Sequence, residues 1–163
     1  MPAITWPNDA KLALSIVVNV EEGAEARVDE GDKRPEPVDE LGITLKAPIR
    51  NHGNESNYAY GIKAGAPRVM HLLRQYGVRT TFTAAAQALE RAPDLAAEIV
   101  AQGHEVCSHG HKWIHQFTMK EEQEREFIQK AVESIQQTTG ERPYGWLSRY
   151  LLTENTRRLL IEN

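Results

Sequence analysis

Three of the six histidines lie within seven residues of each other, in the stretch CSHGHKWIHQ. They are His109, His111 and His115, and an imidazole ring can bind a metal or move a proton near neutral pH. The cluster therefore has three interpretations: a metal site, a metal site that has lost a ligand, or an acid–base site that works without metal.

Zinc requires at least three protein ligands. Glu21 and Glu22 form a pair of adjacent carboxylates that could supply a ligand or activate water. Only His109 and Glu22 are reasonable ligand candidates, and the sequence offers no convincing third. The pattern therefore favours chemistry without a tightly bound metal.

The first element that must position these residues is the apolar run KLALSIVVNV at 11–20, directly before Glu21. A near-continuous apolar run is typical of a strand buried on both faces of a parallel sheet. Residues 21–60 are rich in charge, glycine and proline, so we expect a long irregular loop. A loop of that length in a compact domain is usually functional.

Beyond residue 60, helical and strand patterns alternate. Pro67 and Gly77 bound one predicted helix, and Pro93 and Gly103 bound the next. A third helix over 118–139 begins with a capping box from Thr118 to Glu121 and ends at Gly140, and a fourth begins at Thr153. The stretches VRTTF, HEVCS and YGWLS are the intervening strands. Four βα units predict an α/β fold with parallel strands and right-handed crossovers.

Ligands of such folds bind outside the carboxyl ends of the strands. Glu21 and Glu22 follow the first predicted strand, His109 follows the third, and the segment GERPYGW introduces the fourth. We therefore expect one pocket that holds carboxylates, histidine, an arginine and tryptophans.

The composition limits the function classes. A length of 163 residues suits one domain, and a net charge of -4 argues against nucleic acid as a partner. No apolar run approaches the roughly 20 residues that span a bilayer, and the N-terminus lacks the order of a signal peptide. The single Cys107 cannot form an internal disulfide, so we expect a cytoplasmic protein.

The motifs NVEEG, SHGHKW and ERPYGW, in this order, resemble the polysaccharide deacetylase family (NodB homology, carbohydrate esterase family 4). The stretch ESNYAYGIKAGAPRVMHLLRQYGVRTTFTAAAQALE resembles its branch of cofactor-independent allantoinases and cytoplasmic peptidoglycan deacetylase-like proteins. The resemblance implies that residues 1–163 are parallel βα units forming the first half of a distorted (β/α)7 barrel. The C-terminal part of the family domain is expected to be absent.

The resemblance also implies site residues. Glu21 matches the general base, Glu22 and His109 match metal ligands, Trp113 stands in place of the second metal histidine, and Arg142 matches the arginine that orients the base. The expected catalytic residues are Glu21, His109 and Arg142, and the expected substrate-binding residues are Glu22, Trp113, Trp146 and His111. No cofactor is expected; a divalent metal such as zinc, if bound, would use Glu22 and His109.

The function implied is hydrolysis of a non-peptide C–N bond in an N-acetylated sugar or a ureide such as allantoin, once the domain is complete. The expected partners are a small amide or amino-sugar substrate and either further copies of the chain or the missing C-terminal segment, which would supply the general-acid histidine. The alternative is a truncated or degenerate member that binds or assembles without catalysis.

Overall fold

The sheet determines where the predicted site residues lie. The computed structural model describes residues 5–38, 42 and 44–163, and in them a parallel sheet contains β1 (Val17–Val20), β2 (Thr81–Ala84) and β3 (Glu105–Ser108). The strand order is β1-β2-β3. Val20 pairs with Ala84, and Ala84 pairs with Ser108. The residue that follows each strand therefore leaves the sheet at the same edge.

Helices connect and cover the strands. They are α1 (His52–Tyr60), α2 (Ala66–Tyr76), α3 (Ala86–Arg91), α4 (Pro93–Ala101), α5 (Glu121–Thr139) and α6 (Thr156–Glu162), with short 3₁₀ turns at Pro7–Asp9 and Val28–Glu30. A π-helical turn, Gly61–Gly65, joins α1 to α2 without a break in helical backbone. The parallel α/β class predicted from the sequence is confirmed.

The fourth predicted strand is reduced to one bridge. Trp146 pairs with Ser108 in parallel orientation, and the flanking hydrogen bonds run from the Ser108 N–H to the Gly145 carbonyl and from the Leu147 N–H to the Ser108 carbonyl. This segment continues the sheet beyond β3 for a single residue. The prediction of a full strand over 144–148 was wrong, although its place and direction agree.

The first strand is shorter than the apolar run predicted. Only residues from Val17 onward pair with β2, and the preceding Leu12 and Leu14 are 74% and 79% exposed. The run is apolar, yet no neighbouring strand lies beside its first half in the described residues. The first half of the run is therefore an exposed apolar segment that precedes β1, and it is not part of a buried strand.

The long predicted loop contains a helix. Residues 52–60 form α1, whose first turn is capped by the Asn51 side chain, which accepts a hydrogen bond from the Asn54 N–H (3.1 Å). The segment HGNESNYAY has few apolar residues, so hydrophobic periodicity could not reveal it. Positions 39–41 and 43 of the predicted loop lie outside the described residues.

The glycine stop signals were correct. Gly77 and Gly140 both adopt left-handed φ values, 62° and 79°, directly after α2 and α5. The predicted capping box at Thr118 does not form, because α5 begins at Glu121. The side chain of Gln123 instead accepts the Lys120 N–H (3.1 Å).

The main core lies between the sheet and α2, α3 and α4. Its members are buried aliphatic and aromatic side chains: Val20, Met70, Leu73, Phe82, Leu89, Leu95, Ile99 and Trp113, with several alanines. Trp113 connects this core to the carboxyl edge of the sheet. Within the described part of the chain, no helix has the length and apolarity needed to cross a membrane.

Candidate active site

The carboxyl edge of the sheet brings together a carboxylate and a histidine. Glu21 directly follows β1 and His109 directly follows β3, and Glu21 Oε1 lies 3.1 Å from His109 Nε2. His109 is 6% exposed. The Asn19 side chain also donates a hydrogen bond to Glu21 Oε1 (3.1 Å). The residues that follow the first and third strands therefore form one carboxylate–imidazole contact, which we call the Glu21–His109 pair.

The tautomer of His109 is set by the backbone. Its Nδ1 lies within hydrogen-bond distance of the Leu147 carbonyl oxygen, which can only accept. Nδ1 therefore carries a proton. In the neutral ring Nε2 has a lone pair, so the contact with Glu21 is a hydrogen bond only when a further proton lies between the two side chains. The pair is built to hold and move one proton.

A cavity of about 640 Å³ opens beside this pair. Its wall combines strand-end residues with side chains from α1 and from the segment after Trp146: Asn19, Glu21, Glu22, Val38, Asn54, Asn57, Tyr58, His109, Trp113, Leu147, Ser148, Arg149 and Tyr150. The polar groups of the pair therefore face a space large enough for a small molecule.

A buried ion pair fixes one wall of the cavity. The guanidinium of Arg149 donates two hydrogen bonds to the Glu36 carboxylate (3.0 and 2.6 Å), and the two side chains are 3% and 2% exposed. Arg149 also donates to the Trp113 carbonyl (2.6 Å) and lies 3.6 Å from the centroid of its ring. The ion pair therefore ties the segment after β1 to Trp113 and to the chain beyond the bridge.

Tyr58 supplies a hydroxyl group to the cavity. Its ring lies 6.0 Å from the Trp113 ring, centroid to centroid. Burial and, to a lesser extent, the negative charge of Glu36 raise the pKa of Tyr58 well above its usual range. The hydroxyl therefore stays protonated at physiological pH and can donate a hydrogen bond.

Glu22 lines the cavity and bonds to the backbone of its neighbour. Its Oε2 accepts the N–H of Glu21 (3.2 Å), and its side chain lies against Gly61, where an added Cβ would be 2.4 Å from Oε1. Burial raises the pKa of this carboxyl, and the neighbouring charges of Glu21 and Glu25 add to the effect. Glu22 is thus less readily ionised than an exposed glutamate.

The donor set does not fit a zinc ion. Among the described side chains at this edge of the sheet, only His109 and Glu21 converge closely, Trp113 has no ligand atom for zinc, and Glu22 lies against Gly61. In the residues that the structure describes, no group of three or more His, Cys, Asp and Glu side chains could hold a metal ion. A tetrahedral site needs three protein ligands, so we derive no metal-dependent step from these residues.

Three predicted site residues lie outside the cavity wall. Arg142 donates to the backbone and side-chain oxygens of Asn163 (2.7 and 3.0 Å). His111 contacts Glu90 (3.2 Å between Nε2 and Oε1), and the Trp146 indole donates to Ser148 Oγ (2.7 Å). The structure does not bring these three side chains to the Glu21–His109 pair.

The position of Arg142 has a simple cause. Parallel pairing at Trp146 orients the segment, so residues before Trp146 approach the amino ends of the strands and residues after it reach the carboxyl ends. Arg142 precedes the bridge, whereas Arg149 follows it and lines the cavity. Because a bridge of one residue leaves no pattern in the sequence, this difference between Arg142 and Arg149 becomes visible only in the structure.

The other residues missed were harder to find. Tyr58 lies in the segment interpreted as a loop, where no periodic pattern assigned it a direction. Glu36 is one of many charged residues in the same segment, and no local signal separates it from those that are solvated. His111, in contrast, was predicted to bind substrate; it follows the turn at Gly110, which has a φ of 87° and directs His109 and His111 to different sides of the chain.

Residues 56–162 match the family model described as polysaccharide deacetylase. The chain belongs to the polysaccharide deacetylase family. A protein of Schizosaccharomyces pombe named as a candidate polysaccharide deacetylase is 34% identical over 162 residues, which are 96% of this chain and 50% of that protein. A peptidoglycan deacetylase of Helicobacter pylori is 29% identical over 102 residues, covering 62% of this chain and 35% of its own length.

Solved structures give the same assignment. The crystal structure of PuuE allantoinase superposes with a TM-score of 0.88 at 40% identity and covers 96% of this chain and 52% of its own chain. A probable polysaccharide deacetylase of Pseudomonas aeruginosa PAO1 has the same TM-score and identity, over 96% of this chain and 53% of its own. The resemblance inferred from the motifs and the NodB-type half-barrel are thereby confirmed. The chain spans about half the length of these relatives.

Proposed function

We propose that this chain carries the acid–base half of a hydrolase that cleaves a non-peptide C–N bond in a small polar amide, without a tightly bound metal. The observation that supports the proposal is the Glu21–His109 pair, whose two reactive atoms are 3.1 Å apart at the wall of a cavity of about 640 Å³. Family membership supports the reaction class, since its named members include peptidoglycan deacetylase and allantoinase.

In this mechanism the pair starts with His109 protonated on both nitrogens and Glu21 ionised. Glu21 takes a proton from a water molecule, whose oxygen attacks the carbonyl carbon of the amide. The C–N bond then breaks, and the proton on His109 Nε2 goes to the leaving nitrogen, so that His109 takes the general-acid role that the motif resemblance assigns to a histidine of the C-terminal segment. Transfer of the proton from Glu21 to Nε2 restores the pair, so one water is consumed and no proton is gained or lost by the protein.

The carbonyl oxygen gains negative charge during the attack and needs a donor. The Tyr58 hydroxyl suits this role because burial keeps it protonated and it lines the same cavity. Arg149 is less suited, because its Nη atoms already donate to Glu36 and to the Trp113 carbonyl. We assign Arg149 to the wall of the site and Tyr58 to the polarisation of the substrate.

The residues around the pair are compatible with a small polar amide as substrate. Side chains of α1 and Val38 line the same cavity as the pair. The rings of Tyr58 and Trp113 contribute to this lining, and Arg149 covers one face of the Trp113 ring. A ureide of the allantoin type is the first substrate to test, because an allantoinase is among the similar structures.

The test uses the complete protein with three substrates: allantoin, N-acetylglucosamine and a chitin oligosaccharide. We expect hydrolysis of the ureide, and we expect Glu21→Gln to lower kcat by about 10²–10⁴-fold, as removal of a general base does. Glu90→Gln is the matched control, because it alters a second carboxylate–histidine pair that lies away from the cavity. Equal activity of Glu21→Gln and wild type would disprove the mechanism, and binding without turnover would favour the non-catalytic alternative.

A further inference from the structure

A buried polar cluster lies behind the cavity, next to the segment that carries Leu147. Gln116, Glu124 and Thr156 are 1%, 0% and 0% exposed. The Gln116 amide nitrogen donates to Glu124 Oε1 and to the Thr156 hydroxyl (3.3 Å), while its carbonyl oxygen accepts from the Ser148 hydroxyl (2.9 Å). The Ser148 oxygen in turn accepts the Trp146 indole N–H (2.7 Å). Trp146, Ser148, Gln116 and Glu124 therefore form a continuous chain of hydrogen bonds.

The donor and acceptor roles in this series of hydrogen bonds are fixed at the Glu124 end. Thr153 and Thr156 also donate to the Glu124 carboxyl group, which accepts from all three of its neighbours. The Gln116 amide must present its nitrogen to these oxygens, so its carbonyl oxygen must face Ser148. The hydroxyl of Ser148 is then obliged to donate to Gln116. Each member consequently has one orientation rather than two.

This series of hydrogen bonds reaches Ser148, which is next to the Leu147 carbonyl that sets the tautomer of His109. Ser148 directly follows Leu147, whose carbonyl oxygen contacts His109 Nδ1. The Leu147 N–H is bonded to the Ser108 carbonyl (2.8 Å). The residues on the two sides of the Leu147–Ser148 peptide are thus held, Leu147 through its N–H by the end of β3 and Ser148 through its hydroxyl by Gln116. Loss of either anchor would free the carbonyl that directs the imidazole ring.

We infer that Gln116 is a positioning residue for the Glu21–His109 pair, acting through Ser148 and the Leu147 carbonyl. It does not line the cavity and touches neither member of the pair. The effect expected on turnover rests on the proposed function, whereas the effect on the tautomer of His109 does not. A purely structural role, in which the cluster only joins α5 to α6, predicts a loss of stability with no change at His109.

The experiment measures the ¹⁵N resonances of the histidine rings in the complete protein at about pH 9, where an ordinary histidine is neutral. The resonances are assigned by loss of one ring in His109→Gln. We expect His109 Nδ1 to give the signal of a protonated nitrogen in the wild type. In Gln116→Leu the signal should move toward that of an unprotonated nitrogen, because the carbonyl acceptor is no longer fixed.

Ser148→Ala tests the same chain with a smaller change, should Gln116→Leu fold poorly. Ser148→Thr keeps the hydroxyl and should restore the wild-type signal. Thr139→Val is the matched control: it removes another buried hydroxyl of α5, bonded to Ile135 and Glu141, far along the helix from Glu124. This control should leave His109 unchanged although it lowers the thermal midpoint.

Kinetics supply the second measurement. A misplaced catalytic group can cost up to about a hundredfold in rate, so Gln116→Leu and Ser148→Ala should lower kcat about ten- to hundredfold with KM nearly unchanged. An unprotonated Nδ1 in the wild type, or an unchanged His109 signal in both variants, overturns the inference whatever the activity. The expected signals together with no hydrolysis of any amide would instead refute the proposed function and leave the positioning role intact.

Discussion

The ion pair between Glu36 and Arg149 should be a major determinant of stability, and Glu36→Gln tests this. The substitution retains an Oε1 acceptor for the Val38 N–H (3.0 Å in the wild type), removes the charge, and replaces the Oε2 that accepts from Arg149 with an amide nitrogen. Arg149 would then be a cation with a 3% exposed side chain and no anionic partner. Breaking a buried pair from one side costs roughly 3–5 kcal/mol in the free energy of unfolding.

That magnitude can be measured by denaturation. For a domain of this size each kcal/mol shifts the thermal midpoint by roughly 2–4 °C, so Glu36→Gln should melt about 6–20 °C below the wild type. Urea titration should give a lower midpoint with an unchanged slope. The double variant Glu36→Gln/Arg149→Met removes both charges and should be more stable than Glu36→Gln alone.

The exposed pair between Arg74 and Glu98, with side chains 61% and 38% exposed, provides the comparison. Water already solvates both charges there, so Glu98→Gln should alter the unfolding free energy much less than Glu36→Gln does. The reasoning is refuted if Glu36→Gln costs less than about 1 kcal/mol, or if the double variant is less stable than both single variants.

Other predictions concern different parts of the molecule. Gly110→Ala should destabilise more than Gly31→Ala, by roughly 1–3 kcal/mol in urea titrations, because both have left-handed φ but only Gly110 would place a Cβ 2.5 Å from the Phe127 ring; equal losses would contradict this. Burial, and then the charge of Arg79, lower the pKa of His104, whose Nδ1 accepts the Thr80 N–H (3.3 Å). The unfolded chain therefore binds more protons below the ordinary histidine pKa of 6.5, and stability should fall as the pH drops through that value; His104→Asn should reduce this dependence in urea titrations, and an unchanged dependence would contradict it. Elemental analysis after dialysis should find no stoichiometric zinc, since the donor set has two converging members; one equivalent bound through His109 would overturn this.

The sequence predicted the proximity of Glu21 and His109 more successfully than the wall around them. Glu21 and His109 each follow a strand directly, and parallel strands bring their carboxyl ends to one edge, so local pattern and topology were sufficient. Arg142 and Arg149 are seven positions apart, and choosing between them required knowing where the sheet crosses the segment. A bridge of one residue has too little hydrophobic pattern to show that position.

The segment between β1 and α2 was the least predictable part. Its helix α1 has few apolar residues, so its existence depends on the Asn51 cap and on contacts with the rest of the fold. Glu36 is buried only because Arg149, more than a hundred residues later, lies beside it. Long-range pairing of this kind leaves no local trace in the composition.

Helical backbone continues from His52 to Tyr76, and the π-helical turn at Gly61–Gly65 determines which way the side chains of α2 point relative to those of α1. A π turn takes up one residue more than an α turn, so it rotates α2 by roughly 100° relative to an uninterrupted helix. Tyr58 thereby faces the cavity while Met70 faces the core. Deletion of one residue within the turn would rotate one of these faces out of register. The length of this turn therefore couples the shape of the pocket wall to the packing of the domain.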